Sequence, residues 1–187
     1  NAIIFEQIFA FCQTRDGSLW VGCNTGLFII PSAEEFRVSN RCLRIRIPNA
    51  DGYILNDGNV NAILEKADGT ICVGTADLGV YVLSGDGSTL IDHYTMDNSS
   101  MPSNSVLSLA EDKDIEALYI GTAEGLAAKI PSSPASNLYN ADQNTQLFTE
   151  MGSMKQWTSH KSYVSVNQIA IGKNKVYGVS DGALMAV

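Results

Sequence analysis

The 187-residue sequence predicts an all-β fold made of about four copies of one antiparallel unit. Two observations predict this. Short apolar runs recur around Gly22, Gly74, Gly121 and Gly178, and each is preceded by a second run that begins with a β-branched residue. The interval between the copies, about 50 residues, is typical of arrays of supersecondary units.

The two runs of each copy are predicted to form a β-hairpin. In the first two copies the connecting turn contains Asp16-Gly17 and Asp68-Gly69. An Asp-Gly pair supplies the positive φ angles that a tight hairpin turn needs. The first and second strands of each unit are therefore expected to be antiparallel neighbours.

A second short turn predicts a third strand, and a less regular run predicts a fourth. The second turn is closed by glycine in each copy, at Gly26, Gly79, Gly125 and Gly182. Fourth strands are expected in CLRIRIP around Leu43, in TLIDHYT around Ile91, and in QLFTEMGSMKQW near Phe148 or Trp157. Each unit is thus predicted to be a four-stranded antiparallel meander.

The pattern of the first strand favours a propeller over a sandwich. Its apolar residues occupy both parities, as at Val60 and Ile63, which indicates that both faces of the sheet are buried. A small residue follows at Ala10, Ala62 and Ser108, which suits strands crowded near an axis. The sequence therefore predicts a β-propeller fragment of about four blades in one partial domain, residues 1–187, with blades at about 6–49, 58–97, 104–158 and 164–187, the last incomplete.

The repeat resembles that of the two-component regulator propeller family. The residues that carry the resemblance are the Asp-Gly turns, Trp20, Thr75, Thr122 and the glycines named above, while Cys23 and Cys72 depart from the pattern. The resemblance implies that Trp20 lies between blades. It also implies that the chain belongs to the extracytoplasmic sensor, periplasmic or at the cell surface, of a membrane-bound histidine kinase or diguanylate cyclase. In that family a propeller usually has seven blades.

If the propeller follows the seven-bladed pattern of that family, about four blades would form an open arc and not a closed ring. An open arc exposes strand edges and one blade face at each end, which favours self-association through the end blades. The alternative is a closed four-bladed ring, in which residues 2–5 (AIIF) supply the strand that the last copy lacks. The start of the chain, NAIIFEQIF, looks like a piece of a longer protein.

Composition excludes some partners and leaves the cysteines open. The net charge of −8 and the pI near 4.6 argue against nucleic-acid binding, and no apolar run approaches the length of a membrane span. Cys12, Cys23, Cys42 and Cys72 form no metal-ligand pattern and are interpreted as buried free thiols. The sequence leaves undecided whether Cys23 and Cys72 form a disulfide.

No catalytic, cofactor or metal site is predicted. His93 and His160 fall in different copies and have no nucleophile or carboxylate at a motif spacing. Asp16 and Asp68 are explained by turn chemistry, and the DKD run at 112–114 is the nearest approach to a cation loop. A glycan-active lyase or hydrolase stays an alternative, because a propeller can assemble carboxylates from distant blades.

Strand order predicts a ligand-binding rim at one mouth of the propeller. In a meander, the second turns and the connections into the next blade share one end. The side chains expected there are polar and acidic, and suit sugars, polyols or cationic groups. The rim consists of Asn24, Thr25, Asp77, Asn104, Glu124, Ser180 and Asp181, with Asp57, Asn59 and Asn98 beside it; Trp157 and Tyr163 are less constrained.

Together these features predict a non-catalytic module that senses a small-molecule ligand, with carbohydrates among the candidate classes. A protein-interaction scaffold is the alternative from a different functional class.

Overall fold

The computed structural model describes residues 7–49, 52–55, 58–131, 157–160, 165–173, 175–180 and 183–186. Apart from one short helix, every regular element of these residues is a β-strand. In chain order the elements are β1 (Ile8–Gln13), β2 (Leu19–Cys23), β3 (Gly26–Ile30), α1 (Ala33–Ser39), β4 (Leu43–Arg44), β5 (Ile47–Asn49), β6 (Gly52–Ile54), β7 (Val60–Glu65), β8 (Ile71–Thr75), β9 (Val80–Leu83), β10 (Leu90–Tyr94), β11 (Val106–Asp112), β12 (Ala117–Thr122), β13 (Gly125–Lys129), β14 (Trp157–His160), β15 (Val166–Ile171), β16 (Val176–Ser180) and β17 (Ala183–Ala186).

The strands form four antiparallel meanders, as the repeat predicts. Three sheets have four strands, β1 to β4, β7 to β10 and β11 to β14, and the fourth has the three strands β15 to β17. A separate hairpin, β5–β6, lies between the first and second sheets. The fold is an all-β propeller fragment, and each sheet is one blade.

The Asp-Gly hairpins are held by the aspartate side chain as well as by glycine. Asp16 Oδ1 accepts hydrogen bonds from Thr14 Oγ1 at 2.6 Å and from the backbone N–H of Ser18 at 3.0 Å, and Gly17 has φ of +87°. The hydrogen bond from Thr14, followed by those from Ser18, lowers the pKa of Asp16. Gly69 repeats the same φ of +87° in the second blade.

The fourth copy is shifted by one residue from the predicted alignment. Gln168 pairs with Val179 and Val166 with Ser180. The equivalent pairs in the second blade are Ala62 with Gly74 and Val60 with Thr75. Val179, and not Gly178, therefore occupies the central glycine position, and Ser180 occupies the threonine position.

The prediction for Gly182 is corrected by the same shift. Ala183 pairs with Ser180 as Gly26 pairs with Cys23, so Ala183 holds the position of the closing glycine. Gly182 itself lies outside the described residues. Aligning copies on their glycines misplaced this blade, because only strand pairing shows which residues lie opposite each other.

The predicted fourth strand of the first blade is also partly wrong. Of CLRIRIP, only Leu43 and Arg44 pair with β3, and the chain then leaves the sheet. Ile45 N still donates to Leu27 O at 2.9 Å, but Ile45 and Ile47 are buried in the core between the first two blades, and β5 pairs with β6 instead of with β3. The strands predicted near Ile91 and at Trp157 are present as β10 and β14.

The first blade carries an insertion that the repeat pattern does not contain. Ser32 caps α1 by accepting a hydrogen bond from Glu35 N at 3.0 Å, and Asn40 ends the helix in a left-handed conformation with φ of 51°. Within the described parts of the chain, no helix has the length and apolar character required to cross a membrane.

Two apolar clusters join neighbouring blades. The first contains Trp20 and Leu27 from the first blade and Ile71 and Leu83 from the second. The second joins β8 and β9 to β11 and β12 through residues such as Val82 and Ile120. The core of this fold therefore lies between blades, which is the arrangement expected of sheets stacked around an axis.

Central glycines allow the blades to approach closely. A Cβ atom on Gly22 would lie 2.5 Å from Val60 Cγ1, and one on Gly74 would lie 2.5 Å from Val106 Cγ1. A Cβ atom on Gly121 would overlap the carbonyl oxygen of Val166. The first residue of each following blade thus occupies the space that glycine leaves.

The four cysteines are free thiols, so the disulfide left open by the sequence is not formed. Cys23 ends β2 opposite Ile8, whereas Cys72 lies near the start of β8 opposite Leu64, beside the Asp-Gly turn. The two residues therefore lie toward opposite ends of their blades. Burial raises the pKa of the Cys72 thiol to about 12, so it remains protonated at neutral pH.

Candidate ligand-binding site

The second turns and the connections between blades meet at one end of the arc. The backbone N–H of Ala76 in the second turn of the second blade donates to Asn59 O at 3.0 Å. Ala123 N donates to Ser105 O at 2.9 Å in the third blade. Between blades, Gly79 N donates to Asn104 O at 3.0 Å. These contacts place the predicted rim residues of the second and third blades at a shared mouth.

In the first three blades, a side-chain hydroxyl or thiol at the end of the second strand holds the second turn. Thr75 Oγ1 donates to Gly79 O at 2.9 Å, and Thr122 Oγ1 donates to Gly125 O at 2.8 Å. In the first blade, Cys23 Sγ contacts Gly26 O at 3.3 Å. The turns that carry the rim side chains are therefore held by buried side-chain contacts.

Two of the predicted rim residues present exposed carboxylates. Asp77 and Glu124 lie in the second turns of neighbouring blades and are exposed, and among the described residues neither carboxylate is hydrogen-bonded. Burial, followed by the charge of Asp77, raises the pKa of the Tyr81 phenol.

The side chains of Asn98 and Asn104, also predicted at the rim, form hydrogen bonds within the connection between the second and third blades. Asn104 Oδ1 accepts a hydrogen bond from Met96 N at 2.8 Å. Asn98 accepts from Thr95 N and donates to His93 O, each at 2.8 Å. Asn24 and Thr25 are half-buried in the first blade's turn, and Ser180 ends β16. Asp57 and Asp181 lie outside the described residues.

A cleft of about 460 Å³ runs along the first strands, at the axis of the arc. Its lining includes three aromatic rings, two hydroxyls (one of them the phenol of Tyr177) and two exposed amides. Among the described residues that line it, none is charged, although the chain carries a net charge of −8. The residues with aromatic or polar side chains are Phe9, Phe11, Tyr177, Ser108, Asn167 and Gln168.

The aromatic side chains of the cleft were missed because the sequence pattern assigns them to buried strands. Phe9 is 44% exposed and Phe11 is 60% exposed, whereas Val60 and Val106, which begin the first strands of the next two blades, are fully buried. The available signal was the Phe at position 9, where the second and fourth copies have Asn61 and Asn167.

The residues considered for catalysis or metal binding are not brought together. The ring of His93 stacks on Tyr81 with 4.0 Å between centroids, and its Nε2 lies 2.6 Å from Leu78 O. Asp112 Oδ1 accepts a hydrogen bond from Asp114 N at 3.0 Å, as in a turn. Within the described ranges, no three His, Cys, Asp or Glu residues are grouped to hold a metal. His160 and Trp157 belong to β14, and Tyr163 lies outside the described residues.

Comparison with known proteins agrees with this architecture. Residues 3–25, the first copy of the repeat, match the family described as the two component regulator propeller. The family resemblance of the repeat is confirmed. No curated protein matches the chain significantly.

Solved structures share the fold at low identity. The extracellular domain of a hybrid two component system from B. thetaiotaomicron has a TM-score of 0.67 and 20% identity, over 97% of this chain and 21% of that chain. PorZ, a surface component of the type-IX secretion system of Porphyromonas gingivalis, has a TM-score of 0.62 and 23% identity, over 100% of this chain and 30% of that one. The computationally designed Ika4 protein has a TM-score of 0.57 and 16% identity, over 100% of this chain and 94% of its own.

The chain therefore spans less than a third of each of these two natural proteins. At these identities the likeness extends to the fold, and the two natural relatives are exposed outside the cytoplasm or at the cell surface.

Proposed function

We propose that this chain is a non-catalytic, ligand-sensing module in the extracytoplasmic part of a membrane-bound two-component-type regulator. The match of residues 3–25 to the two component regulator propeller is the observation that carries the proposal. The likeness of the whole arc to the extracellular domain of a two component system supports it.

The chemistry of the axial cleft and rim suits a small neutral ligand such as a carbohydrate. Phe9 and Phe11 offer exposed rings for the apolar face of a sugar, and Asn167 and Gln168 offer amides to its hydroxyls. The first strands begin at the end where the second turns lie, because Ile8 pairs with Cys23. Phe9 and Asn167 therefore lie at the end of the cleft nearest to the rim.

A signal passes only if the ligand binds one state of the regulator better than another. In a propeller arc the side chains that line the cleft come from successive blades, here from Phe9 to Tyr177. A ligand that contacts several blades stabilises one arrangement of those blades, and that difference is what an output domain would detect.

The proposal is tested by a thermal-shift screen of the purified chain with neutral saccharides, acidic saccharides, amino acids and divalent cations. A ligand that binds only the native state raises the melting temperature with concentration. We expect a concentration-dependent rise with one neutral saccharide class. Absence of any shift, from a chain that melts cooperatively, would contradict ligand sensing by this segment.

Variants distinguish ligand binding at the rim from ligand binding in the cleft. The double variant Asp77→Ala/Glu124→Ala tests the rim, and Asn167→Ala/Gln168→Ala tests the cleft. Asp112→Ala/Asp114→Ala, at the opposite end of the blades, is the control that removes the same charge as the rim variant. We expect weaker binding in the cleft variant and unchanged binding in the control.

A second candidate function, a protein-interaction scaffold, is favoured by one observation. Exposed apolar side chains mark the two end blades, with Phe11 60% exposed and Leu184 74% exposed. PorZ, which shares the fold, is a component of a secretion system. The scaffold proposal predicts no ligand in the screen and a stable complex with a partner chain.

A further inference from the structure

The second strands of the four blades share a position whose side chain points toward the next blade. It lies two residues before the central position that Gly22 and Gly74 hold, on the same face of the strand. The strand pairing gives the residues at this position as Trp20, Cys72, Tyr119 and Tyr177. Three blades therefore carry an aromatic ring there, and the second blade carries the much smaller side chain of Cys72.

In the joint between the first and second blades, the ring of Trp20 fills this position. Trp20 is fully buried and belongs to one apolar cluster with Ile71 and Leu83 of the second blade. The turn between β9 and β10 lies over the indole, because a Cβ atom on Gly87 would be 2.9 Å from Trp20 Cη2. The indole is thus enclosed between the two blades.

In the joint between the second and third blades, where Cys72 replaces the ring, the structure has a cavity of about 280 Å³. We call it the joint cavity. Cys72, Val82 and Leu118 line it and are buried. The Cys72 thiol is protonated at neutral pH, because burial raises its pKa to about 12, and it behaves as a small apolar side chain. An apolar protein cavity of about 150 Å³ is large enough to bind benzene, so the joint cavity has room for a larger ring system.

The charged side chains of the joint cavity are already paired. Lys66 and Lys129 line it, with Lys66 Nζ 2.8 Å from Asp68 Oδ2 and Lys129 Nζ 3.7 Å from Asp92 Oδ2. Glu116 lines it as well, so the carboxylates around the cavity outnumber the two ammonium groups. An anionic ligand would have to compete with these carboxylates, which favours a neutral one.

Tyr94 forms a wall of the joint cavity and connects its two sides. Its side chain belongs to the second blade and is buried. Lys129 of the third blade donates a hydrogen bond to the Tyr94 hydroxyl, and its Nζ lies 4.1 Å from the centroid of the ring. The cavity is therefore pre-formed between two blades that already contact each other.

We propose that the joint cavity binds a small, neutral aromatic compound of about the size of indole, in the position that Trp20 fills with its own side chain one joint earlier. The ligand would contact the second and third blades together and stabilise their joint. Among the described residues, the joint cavity shares no lining residue with the axial cleft. The inference does not depend on ligand sensing at the cleft or the rim.

The test is isothermal titration calorimetry of the purified chain with indole, and with indole-3-acetate as its anionic counterpart. We expect one indole to bind per chain, and indole-3-acetate to bind at least about tenfold more weakly. Absence of indole binding would overturn the proposal, and equal binding of the two compounds would overturn the neutral class of ligand.

A variant that fills the joint cavity tests where indole binds. Cys72→Trp places an indole side chain in the cavity and should weaken the binding of free indole at least about tenfold. The control Ile91→Trp adds the same side chain on the outer strand β10, where Ile91 is 55% exposed, and should leave binding unchanged. Undiminished binding to the Cys72→Trp chain would show that another site is used and would refute the proposal.

Circular dichroism melts establish that the variants fold. If Cys72→Trp loses its cooperative transition, amide hydrogen exchange of the parent chain with and without indole locates the site instead. Indole should slow exchange in β8 and β12, which contain Cys72 and Leu118, more than in β2 and β16. Slowing that is absent from β8 and β12, or equal in all four strands, would contradict binding in the joint cavity.

Discussion

Thr75 and Thr122 show how one hydroxyl organises a blade at the scale of single residues. Each ends a second strand, is fully buried, and donates to a carbonyl across the turn, Gly79 O or Gly125 O, at 2.9 and 2.8 Å. Gly79 O also accepts the backbone N–H of Thr75 at 3.0 Å, so the hydroxyl adds a second, buried hydrogen bond across the turn. Cys23 fills the same position with a thiol, which is a weaker donor.

Cys23→Thr is therefore predicted to stabilise the chain. The hydroxyl would replace the 3.3 Å contact of Cys23 Sγ with Gly26 O by the shorter hydrogen bond seen at Thr75. We expect the free energy of unfolding to rise by about 0.5–1.5 kcal/mol, measured by urea denaturation. Cys23→Ala should lower it, and Cys42→Thr, at a half-buried thiol before β4, is the control. A Cys23→Thr chain no more stable than Cys23→Ala would refute this account.

At the scale of elements, the first two hairpin turns are each tied to the blade that follows. Glu65 accepts hydrogen bonds from the backbone N–H and the Nε of Arg15, at 2.9 and 3.0 Å. Glu111 accepts one from Ala67 N at 2.6 Å. These contacts lie at the turn end of the blades, opposite the rim, so the first three blades are fixed to one another at their turn ends by hydrogen bonds and also by the close packing at Gly22 and Gly74.

Gly74→Ala is predicted to destabilise the joint between the second and third blades. Its Cβ would lie 2.5 Å from Val106 Cγ1 and 3.3 Å from Ala62 Cβ, so the two blades must move apart. We expect a loss of about 1–3 kcal/mol in the free energy of unfolding, measured by urea denaturation. The control is Gly58→Ala, whose Cβ would meet Leu78 Cδ1 at an ordinary 3.6 Å and should cost little.

A double-variant cycle assigns the cost to the joint. Val106→Ala removes the Cγ1 atom that the new Cβ would meet, so the double variant should be more stable than the sum of the single effects predicts. Additive effects would show that the loss arises within β8 and not between blades.

The same elements show what sequence can and cannot predict. The meanders followed from β-branched starts, Asp-Gly turns and glycine-closed turns, because those signals are local. Alignment on Gly178 failed because the turn between β15 and β16, GKNK at 172–175, has no Asp-Gly pair to indicate the register, and the pairing places Val179 at the glycine position. The helix α1 was not predicted although Ser32 and Glu35 carry a capping signal, because a seven-residue insertion in one copy has no counterpart in the repeat pattern.

The candidate site was predicted in part for the same reason. The rim at the second turns follows from strand order alone, and the backbone contacts of Asn59 and Asn104 place them there. The exposure of Phe9 and Phe11 depends on whether another blade covers the first one. Sequence periodicity shows that one face of a strand is apolar. It does not show whether a neighbouring blade covers that face.

At the scale of the whole molecule, stability depends on how many neighbours a blade has. The second and third blades are packed on both faces, and every residue of β8 is buried. In the fourth blade, Tyr177 of β16 is 37% exposed and Leu184 of β17 is 74% exposed. In repeat architectures each unit gains most of its stability from contacts with adjacent units, so the inner blades should open less often than the fourth.

Amide hydrogen exchange measured by mass spectrometry is predicted to follow this order. The fair comparison is among β2, β8, β12 and β16, because each is the second strand of its meander and is hydrogen-bonded on both sides. We expect β8 and β12 to exchange slowest and β16 fastest, since the hydrogen-bonding pattern is shared and only the packing differs. Gly74→Ala should speed exchange in β8 and β11 together, because Gly74 of β8 meets Val106 of β11 at the altered joint. Equal protection in all four strands would mean that the arc unfolds as one cooperative unit. The exposed face would then not lower the local stability of the fourth blade.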